Sequence, residues 1–434
     1  MGILRVGLFG IHPLQKEHAK LNPSIFSVSS HRRRSAYGNL DMKKSKIIEN
    51  YDKYVIPNYS RLPIVLVKGE GVYVWDEDGK RYLDLFSGWA VSSLGHCHPD
   101  ITKATREQAA TLVHVPNIFY SEPQGRLAKY ISENSFNGQC FFCNSGAEAN
   151  EAAIKLARIH SFPKGKYKII TMKDSFHGRT MATVTATAQP KYHRGFAPLV
   201  EGFSYVSFNN LEEVENAVDD KTCGIMLETV QGEGGINVAG NDYMKGLRKI
   251  CDDNDILMIL DEVQCGMGRT GKYFAYQHYD ITPDIMTLAK ALGNGTAVGA
   301  METTKEIAKS LVPGSHASTF GGNPLACAAS AAVFETIETE GLLDKATKMG
   351  DYIFDQLGNM AKELDVIKEV RGIGLMIGIE LKIPATETVK KCMDAGLLLN
   401  CTHDTVIRIM PQLNVKQEHI DEGLGILKDI LKSI

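Results

Sequence analysis

A lysine and an aspartate at the ends of two apolar runs are the residues best suited to chemistry. Lys290 follows the run 285–288, and Asp261 ends a similar run about thirty residues earlier. A lysine amine can form a Schiff base with an aldehyde, and a carboxylate can hold a pyridine nitrogen protonated so that the ring accepts electrons. The pair therefore predicts an enzyme built around pyridoxal 5'-phosphate, with Lys290 and Asp261 as catalytic residues.

Two further segments could bind a phosphate group. Ser145 and Glu148 have capping-box spacing after an apolar strand, and Gly146 and Ala147 leave the amides of the first helical turn uncovered. Bare N–H groups at the positive end of a helix attract phosphate, although a capping box alone is usually only structural. Thr319, in a later loop, offers a second contact, although loop hydroxyls usually cap turns.

Other chemistry-bearing side chains also lie at or near strand ends. Phe176 could stack on a planar cofactor, and Arg179 could bind a substrate carboxylate, although an isolated aromatic or arginine more often packs or forms a salt bridge. Gln264 could hydrogen-bond a ring hydroxyl. Glu228 ends one apolar strand and Arg408 lies in another. We expect these two to pair across a domain cleft, where a carboxylate substrate would compete with Glu228 for Arg408.

Alternating strands and helices must position these residues. The buried-strand candidates are 139–143, 167–172, 224–228, 256–260 and 284–288. Short apolar runs joined by helices predict an α/β fold with a mostly parallel sheet covered on both faces. In such sheets ligands bind beyond the carboxyl ends of the strands.

The flanking segments predict additional structure. Before the sheet we expect a helix and arm at 47–59, and a strand pair, 63–67 and 72–76, with a hairpin turn at 78–79. After it, a long helix from Leu325 precedes strands within 370–381, a helix at 386–394, a strand at 406–410 and a helix at 416–432. We therefore divide the chain into an extension (1–42), an arm with small-domain strands (43–95), a large cofactor-binding domain (96–324) and a small α+β domain (325–434).

Composition limits the partners. A net charge of -3 over 434 residues shows no basic excess for nucleic acid, and no run approaches the roughly 20 apolar residues of a membrane helix. Small molecules are the expected partners. The nine scattered cysteines suit a reducing compartment rather than a disulfide scaffold. Cys140 and Cys143 lack a second pair, so we predict buried thiols and no metal site.

The first forty residues differ from the rest. They contain six basic residues, one acid and several serines, a balance typical of an organelle transit peptide. The alternatives are a poorly ordered tail or a true start at Met42. We predict a cytoplasmic protein, or a mitochondrial or plastid one if this extension is a targeting segment.

Several motifs in this order resemble the class III pyridoxal-phosphate aminotransferases, from about Ile47 to the C-terminus. They are FSGWAV (86–91), GHCHP (95–99), NSGAEANE (144–151), FHGRT (176–180), QCGMGRTG (264–271) and STFGGNP (318–324). The segments NIFYSEPQ (117–124) and SGAEANE (145–151) favour the acetylornithine branch over the ornithine and 4-aminobutyrate branches.

The resemblance implies a fold-type I transferase with a seven-stranded, mostly parallel sheet, and a homodimer with active sites at the subunit interface. The implied cofactor-binding residues are Ser145, Gly146, Ala147, Phe176, His177, Asp261, Glu262, Val263, Gln264, Lys290 and Thr319, the last of which would reach the neighbouring subunit's phosphate. The implied substrate-binding residues are Arg179, Ser318, Glu228 and Arg408. Lys290 would hold the cofactor and then shuttle a proton on the substrate.

The implied reaction moves the δ-amino group of N-acetylornithine to 2-oxoglutarate. Ornithine, succinylornithine, acetyllysine and 4-aminobutyrate remain alternative amine donors. A nicotinamide-dependent dehydrogenase would need G-x-G-x-x-G after an early strand, whereas Gly293, Gly295 and Gly299 have another spacing and follow Lys290. A non-catalytic relative would typically lack the lysine or the aspartate, and both are present.

One segment departs from the family pattern. After Lys290 the family usually runs through three glycines and a proline, whereas this chain has Gly293-Asn294-Gly295-Thr296-Ala297. Glu302 also stands where an apolar residue is common. We expect these changes to alter the loop beside the lysine and the fit of the substrate.

Overall fold

The computed structural model describes residues 45–434, so the extension predicted for residues 1–42 lies outside the described residues. The chain divides into two compact units, Met1–Leu62 and Pro63–Ile434. The described part of the first unit contains helix α1 (Lys46–Tyr54), whose N-cap Ser45 accepts a hydrogen bond from Ile47 N at 3.2 Å. The helix stops before Pro57, since a residue that precedes proline disfavours helical backbone.

The larger unit contains the remaining helices and strands. Its first part contains β1 (Leu66–Glu70), β2 (Tyr73–Asp76), β3 (Arg81–Asp84), α2 (Ser87–Ala90), α3 (Pro99–Thr111) and α4 (Glu122–Glu133). Its middle part contains β4 (Gln139–Cys143), α5 (Gly146–Ser161), β5 (Lys168–Met172), α6 (Met181–Ala186), α7 (Pro190–His193), β6 (Phe203–Val206), α8 (Leu211–Ala217), β7 (Thr222–Leu227), β8 (Val230–Gln231), β9 (Asn237–Val238), α9 (Asn241–Asn254), β10 (Leu257–Asp261), β11 (Ile285–Leu288), β12 (Gly299–Thr303) and α10 (Lys305–Ala308). Its last part contains α11 (Pro324–Thr339), α12 (Leu342–Glu363), β13 (Ile367–Ile373), β14 (Met376–Leu381), α13 (Thr386–Asp394), β15 (Leu397–Leu398), β16 (Asn400–Thr402), β17 (Val406–Ile409) and α14 (Gln417–Lys432).

A seven-stranded sheet forms the centre of this unit, with the strand order β4-β12-β11-β10-β7-β5-β6. The run from β11 to β6 is parallel throughout, and β12 pairs antiparallel with both β11 and β4. The predicted mostly parallel sheet of seven strands is confirmed. Pattern reading found five of its strands and missed β6 and β12. The edge strand β6 is short and half-exposed, and buried β12 contains a glycine and a glutamate.

Alternate residues of the central strand β10 contact different hydrophobic cores. Leu257 and Ile259 belong to a core that also contains Ala153 and Leu156 of α5. Met258 and Leu260 belong to the larger core, which includes residues of α9 and α11. Successive strand side chains point to opposite faces, so both faces of this sheet must be apolar. This explains why β10 is an unbroken apolar run in the sequence.

Two smaller sheets combine early and late parts of the chain. One has the order β1-β2-β3-β15, in which Leu397 pairs with Leu83, and the other has the order β13-β14-β17-β16. The predicted strand 63–67 begins only at Leu66, and the predicted turn at 78–79 joins β2 to β3, a strand that the sequence reading missed.

The predicted domain boundaries remain a proposal. None of the described helices is long and apolar enough to cross a membrane.

Strand register determines which residues share the carboxyl edge of the large sheet. Asp261 pairs with Thr287 of β11, and Leu260 pairs with Leu227 of β7. Glu228 follows β7 directly, and Lys290 lies two residues beyond the end of β11. The parallel arrangement therefore brings an aspartate, a glutamate and a lysine from distant parts of the sequence to one edge.

Candidate active site

A cavity of about 400 Å³ lies at this carboxyl edge. Eleven of the predicted site residues line it: Ser145, Gly146, Ala147, Phe176, His177, Arg179, Glu228, Asp261, Val263, Gln264 and Lys290. They come from loops after different strands of the sheet, as expected for a ligand site in this kind of fold. The sequence reading did not assign Val91, Asn150, Glu233 or the segment 295–298 to the site, although all of them line the cavity.

Lys290 is held in an uncommon backbone conformation. Its φ is 48°, in the left-handed region, and it begins a 3-10 helix, Lys290–Gly293. Such a conformation costs a non-glycine residue about 1–3 kcal/mol and is frequent at functional sites. Burial lowers the pKa of Lys290, and the nearby carboxylates of Asp261 and Glu233 act in the opposite direction. A lowered pKa increases the fraction of neutral amine, the form that acts as a nucleophile or base.

Asp261 is fixed by a network of hydrogen bonds. Its Oδ2 accepts from Asn150 Nδ2 at 2.7 Å and lies 2.8 Å from His177 Nδ1, and its Oδ1 accepts from Val263 N at 3.0 Å. Asn150 also donates to the His177 carbonyl at 2.7 Å and accepts from the Thr287 hydroxyl at 2.6 Å. The carboxylate thus has a defined orientation. Asn150 belongs to a motif that was recognised, but its role as a bridge follows only from the folded geometry.

Two buried polar atoms in the cavity wall have no hydrogen-bond partner within the described residues. They are His177 Nε2 and Gln264 Oε1. Gln264 does donate through Nε2 to the Trp89 carbonyl at 3.3 Å, which leaves Oε1 as a free acceptor. Both atoms are therefore free to bind a polar ligand in this cavity.

The N-terminus of α5 supplies the predicted anion seat. The Ser145 hydroxyl accepts from Glu148 N at 3.2 Å, and the Glu148 carboxylate accepts from Asn144 N at 2.7 Å. Gly146 is needed here, because a Cβ on it would lie 2.8 Å from Val263 Cγ1. With only Gly146 and Ala147 in the next positions, backbone N–H groups and the positive end of a 16-residue helix face the cavity.

An exposed arginine lies in the cavity wall near two aromatic rings. The Arg179 guanidinium is 4.0 Å from the ring centre of Tyr192 and 5.2 Å from that of Phe176. The two rings meet edge to face, with centres 5.7 Å apart. Cation–π contacts hold a guanidinium without using its N–H donors, which remain available to a carboxylate. Tyr192 was not predicted, since its segment contains no recognisable motif.

The predicted pairing of Glu228 with Arg408 is wrong. Arg408 is 1% exposed, and its Nη1 lies 2.8 Å from Oε1 of Glu233. Nη1 also donates to the Gly232 carbonyl at 3.1 Å, and Nε donates to Asn400 Oδ1 at 2.8 Å. Glu233 is five residues further along the chain, on the glycine-rich loop Gly232–Gly235 that can approach β17. The flanking glycines were the signal that could have identified it.

Glu228 instead binds backbone amides. Its carboxylate accepts from Phe176 N at 3.0 Å and from Gly232 N at 3.2 Å. Burial raises the pKa of Glu228 to about 7, although His177 and these two hydrogen bonds act in the opposite direction. Both carboxylate oxygens are therefore already occupied where the chain leaves β7, which explains why Glu228 does not reach Arg408.

Four predicted residues do not line the cavity: Arg408, Glu262, Ser318 and Thr319. Glu262 points away from Asp261, its neighbour in the chain, and accepts from Ala275 N at 2.9 Å and Tyr276 N at 2.8 Å. Its predicted cofactor contact is corrected to a structural role. Ser318 accepts from Asn144 Nδ2 at 3.2 Å and so lies just behind the cavity wall, whereas Thr319 is exposed.

The atypical loop after Lys290 is organised by Asn294. This residue has a φ of 43° and ends the 3-10 helix; its Oδ1 accepts from Leu94 N at 2.9 Å and its Nδ2 donates to the Gly95 carbonyl at 3.2 Å. Glu302 does not affect the loop. It pairs with Met286, four residues before Lys290, and its buried carboxyl accepts from Gly138 N at 2.9 Å and Ser135 Oγ at 2.5 Å.

A family model and individual relatives assign this chain to the same protein family. Residues 54–431 match the family model described as aminotransferase class-III. The chain is 54% identical over 386 residues to an acetylornithine aminotransferase of Caldanaerobacter subterraneus, covering 88% of this chain and 98% of that protein. It is 51% identical over 396 residues to one of Methanocaldococcus jannaschii, covering 91% of this chain and 100% of that protein.

Solved structures show the same relationship. An ornithine aminotransferase of Toxoplasma gondii aligns with a TM-score of 0.86 at 31% identity, covering 89% of this chain and 94% of that one. An N-acetylornithine aminotransferase of Stenotrophomonas maltophilia aligns with a TM-score of 0.77 at 35% identity, covering 89% of this chain and 98% of that one.

Replacing Asn294 tests how the loop is held. Asn294→Ala removes both hydrogen bonds and keeps a Cβ in left-handed backbone, whereas Asn294→Gly removes the same bonds and relieves the strain. We expect both to lower the free energy of unfolding, with alanine worse by about 1 kcal/mol. Denaturant unfolding of the two variants measures this. The same two substitutions at Asn137, which is also left-handed with a φ of 56°, are the matched control. Unchanged stability in both Asn294 variants would contradict the assignment.

Proposed function

The chain belongs to the class III aminotransferase family, and we propose that it is an acetylornithine aminotransferase. In this reaction the δ-amino group of N2-acetyl-L-ornithine passes to 2-oxoglutarate, giving N-acetyl-L-glutamate 5-semialdehyde and L-glutamate, a step of arginine biosynthesis. The supporting observation is the convergence of Lys290, Asp261 and the N-terminus of α5 on one cavity, in a chain whose curated relatives are named acetylornithine aminotransferases.

The residues around the cavity fit pyridoxal 5'-phosphate as the cofactor. When bound, this group supplies an aldehyde and an electron-accepting ring. Lys290 would bind the aldehyde, Asp261 the ring nitrogen and Gln264 the ring hydroxyl. The amides of Gly146 and Ala147 would bind the phosphate. The unpaired Gln264 Oε1 and the helix N-terminus facing the cavity support this assignment.

Lys290 would also move the substrate proton. Its lowered pKa favours the neutral amine, which can take a proton from the substrate carbon and return it at the other end of the transfer. Asp261 has its acceptor oxygens fixed by Asn150, His177 and Val263, so its charge keeps one position throughout. Such preorganised charge stabilises a transition state without further rearrangement.

The Glu233–Arg408 pair explains how one cavity accepts two different substrates. While paired, Arg408 is neutralised, which suits the δ-amine end of acetylornithine because that end has no adjacent carboxylate. When Glu233 moves away, Arg408 can bind the α-carboxylate of glutamate or 2-oxoglutarate. Arg179, with its donors available in the cavity wall, would bind the carboxylate of acetylornithine. Ornithine, succinylornithine, acetyllysine and 4-aminobutyrate are the alternative amine donors.

A homodimer would complete the site. Ile118, Phe119 and Tyr120 are 83%, 61% and 106% exposed, and Phe320 is 61% exposed. Asn117 joins the two segments by donating to the Gly321 carbonyl at 2.9 Å. Clustered exposed apolar side chains typically mark an interface. Thr319, which is exposed beside this cluster, would reach the phosphate in the neighbouring subunit.

The remaining partners and the location are proposed on chemical grounds. We propose a cytoplasmic enzyme, because all nine cysteines are free thiols and six of them are buried. Free thiols are typical of a reducing compartment. The substrates are small molecules, in agreement with a cavity of about 400 Å³.

Removing the Lys290 amine should abolish the reaction. We expect Lys290→Ala to lower kcat by at least about 10³-fold and to lose the visible absorbance of bound cofactor. The control, Lys305→Ala, changes an exposed lysine of α10 and should retain activity. The wild-type enzyme should give its highest kcat/KM with N-acetylornithine in a panel with the four alternative amines and 2-oxoglutarate. A preference for another amine would refute the assigned substrate.

Neutralising Glu233 should shift substrate preference. In Glu233→Gln, Arg408 keeps its charge without an anionic partner, so we expect kcat/KM for acetylornithine to fall about tenfold relative to that for glutamate. Single-turnover half-reactions with each amine measure this ratio. Glu338→Gln, at an exposed position of α11, is the control. An unchanged ratio would show that the pair does not discriminate between substrates.

The dimer can be tested at its apolar cluster. We expect Ile118→Asp and Tyr120→Asp to produce monomers in sedimentation velocity, because a buried unpaired charge strongly disfavours an interface. Phe162→Asp, at another exposed aromatic (79% exposed), should remain dimeric. Thr319→Ala should weaken cofactor binding without dissociating the dimer. A monomeric wild-type enzyme that is fully active would contradict the proposal.

A further inference from the structure

Glu228 has no role in the reaction described so far, yet it occupies the cavity wall. Its two carboxylate oxygens accept from two different loops: one from Phe176 N at 3.0 Å and the other from Gly232 N at 3.2 Å. Phe176 belongs to the loop after β5, and Gly232 begins the loop between β8 and β9. One side chain therefore joins the Phe176 backbone to the loop that contains Glu233.

Gly232 connects Glu228 to Arg408 through its two backbone polar groups. Its N–H donates to Glu228, and its carbonyl accepts from Arg408 Nη1 at 3.1 Å. The next residue, Glu233, pairs with the same Nη1 at 2.8 Å. Gly232 also lies against the Gln264 side chain, because a Cβ there would lie 1.8 Å from Gln264 Oε1. A displacement of Gly232 would therefore change the position of Arg408.

We propose that Glu228 is a positioning residue that couples the Phe176 backbone to the Glu233–Arg408 pair and so sets the geometry in which Arg408 receives an α-carboxylate. The proposal deepens the proposed function and rests on it. The Glu228 carboxylate contacts neither Arg408 nor any reacting group. Its effect on Arg408 passes through Gly232. Its effect should fall mainly on glutamate and 2-oxoglutarate, the substrates that need Arg408 in a fixed position.

An isosteric amide separates this role from simple packing. Glutamate offers two acceptor oxygens to two N–H groups, whereas glutamine offers one acceptor and directs an NH₂ at the other N–H. In Glu228→Gln we expect kcat/KM of the glutamate half-reaction to fall about five- to tenfold, as for the loss of one typical hydrogen bond. The acetylornithine half-reaction should change less than about twofold, because the ion pair of Glu233 with Arg408 remains. Single-turnover absorbance measurements on the holoenzyme give both values.

Glu302→Gln is the matched control. Glu302 is equally buried, burial raises its pKa to about 7 as it does for Glu228, and it binds one backbone amide and one hydroxyl away from the cavity. We expect its amide variant to lower thermal stability while leaving the ratio of the two half-reactions unchanged. An equal loss in both half-reactions of Glu228→Gln, with the same stability loss as in Glu302→Gln, would overturn the positioning role.

Two further measurements complete the test. In the double variant with Glu233→Gln, the effects of the two changes on kcat/KM for glutamate should be non-additive, because both changes act on Arg408; additive effects would overturn the coupling. Hydrogen exchange in Glu228→Gln should be faster at whichever of the Phe176 and Gly232 amides faces the new NH₂ group, and unchanged exchange at both would overturn the contact itself. If the wild-type enzyme reacts with neither amine, the proposed function fails, and hydrogen exchange still decides whether Glu228 joins the two loops.

Discussion

The parallel alignment of β11, β10, β7 and β5 is the constraint on which the site depends. Because these strands run in one direction and are buried on both faces, their carboxyl ends open onto a single edge, and helices are confined to the two faces. Register then places Asp261 opposite Thr287. Phe176, Glu228, Asp261 and Lys290 all lie at or just beyond this edge, so a change of register in one strand would remove its side chain from the cavity.

The charges at this edge are largely buried, and the structure compensates nearly all of them. Arg408 is 1% exposed and binds Glu233, Asn400 and a carbonyl; Asp261 is 4% exposed and has three donors around it. Removing one partner of such a group leaves an uncompensated charge, which is strongly destabilising. Gln264 Oε1 and His177 Nε2 are different, since they are buried without partners. Both atoms are therefore available to the cofactor that we propose for this cavity.

Much of the site could be predicted from sequence because its residues lie next to strongly patterned strands. Lys290, Asp261, Gly146 and Phe176 each follow an apolar run or open a helix, and the fold brings all of them to one cavity. The partner of Arg408 could not be predicted in this way. Both Glu228 and Glu233 follow β7, and only the direction of the chain through Gly232 decides which carboxylate reaches β17. Periodicity contains no information on loop direction. Strands β6 and β12 were missed for a related reason, since edge exposure and a buried glutamate disturb the apolar pattern.

Asn294 shows how this chain holds its lysine with an unusual loop. Left-handed backbone occurs at both ends of the 3-10 helix, at Lys290 and at Asn294, so the helix is fixed at each end by a strained residue. Glycine would adopt the second conformation at lower energy, but it could not bind Leu94 and Gly95. Asparagine has a less favourable backbone energy here than glycine, but its side chain forms two hydrogen bonds that connect the lysine loop to the 94–95 segment. A fixed lysine fits the function that we propose, in which the same amine would meet two substrates bound in different ways while only the Glu233–Arg408 pair changes.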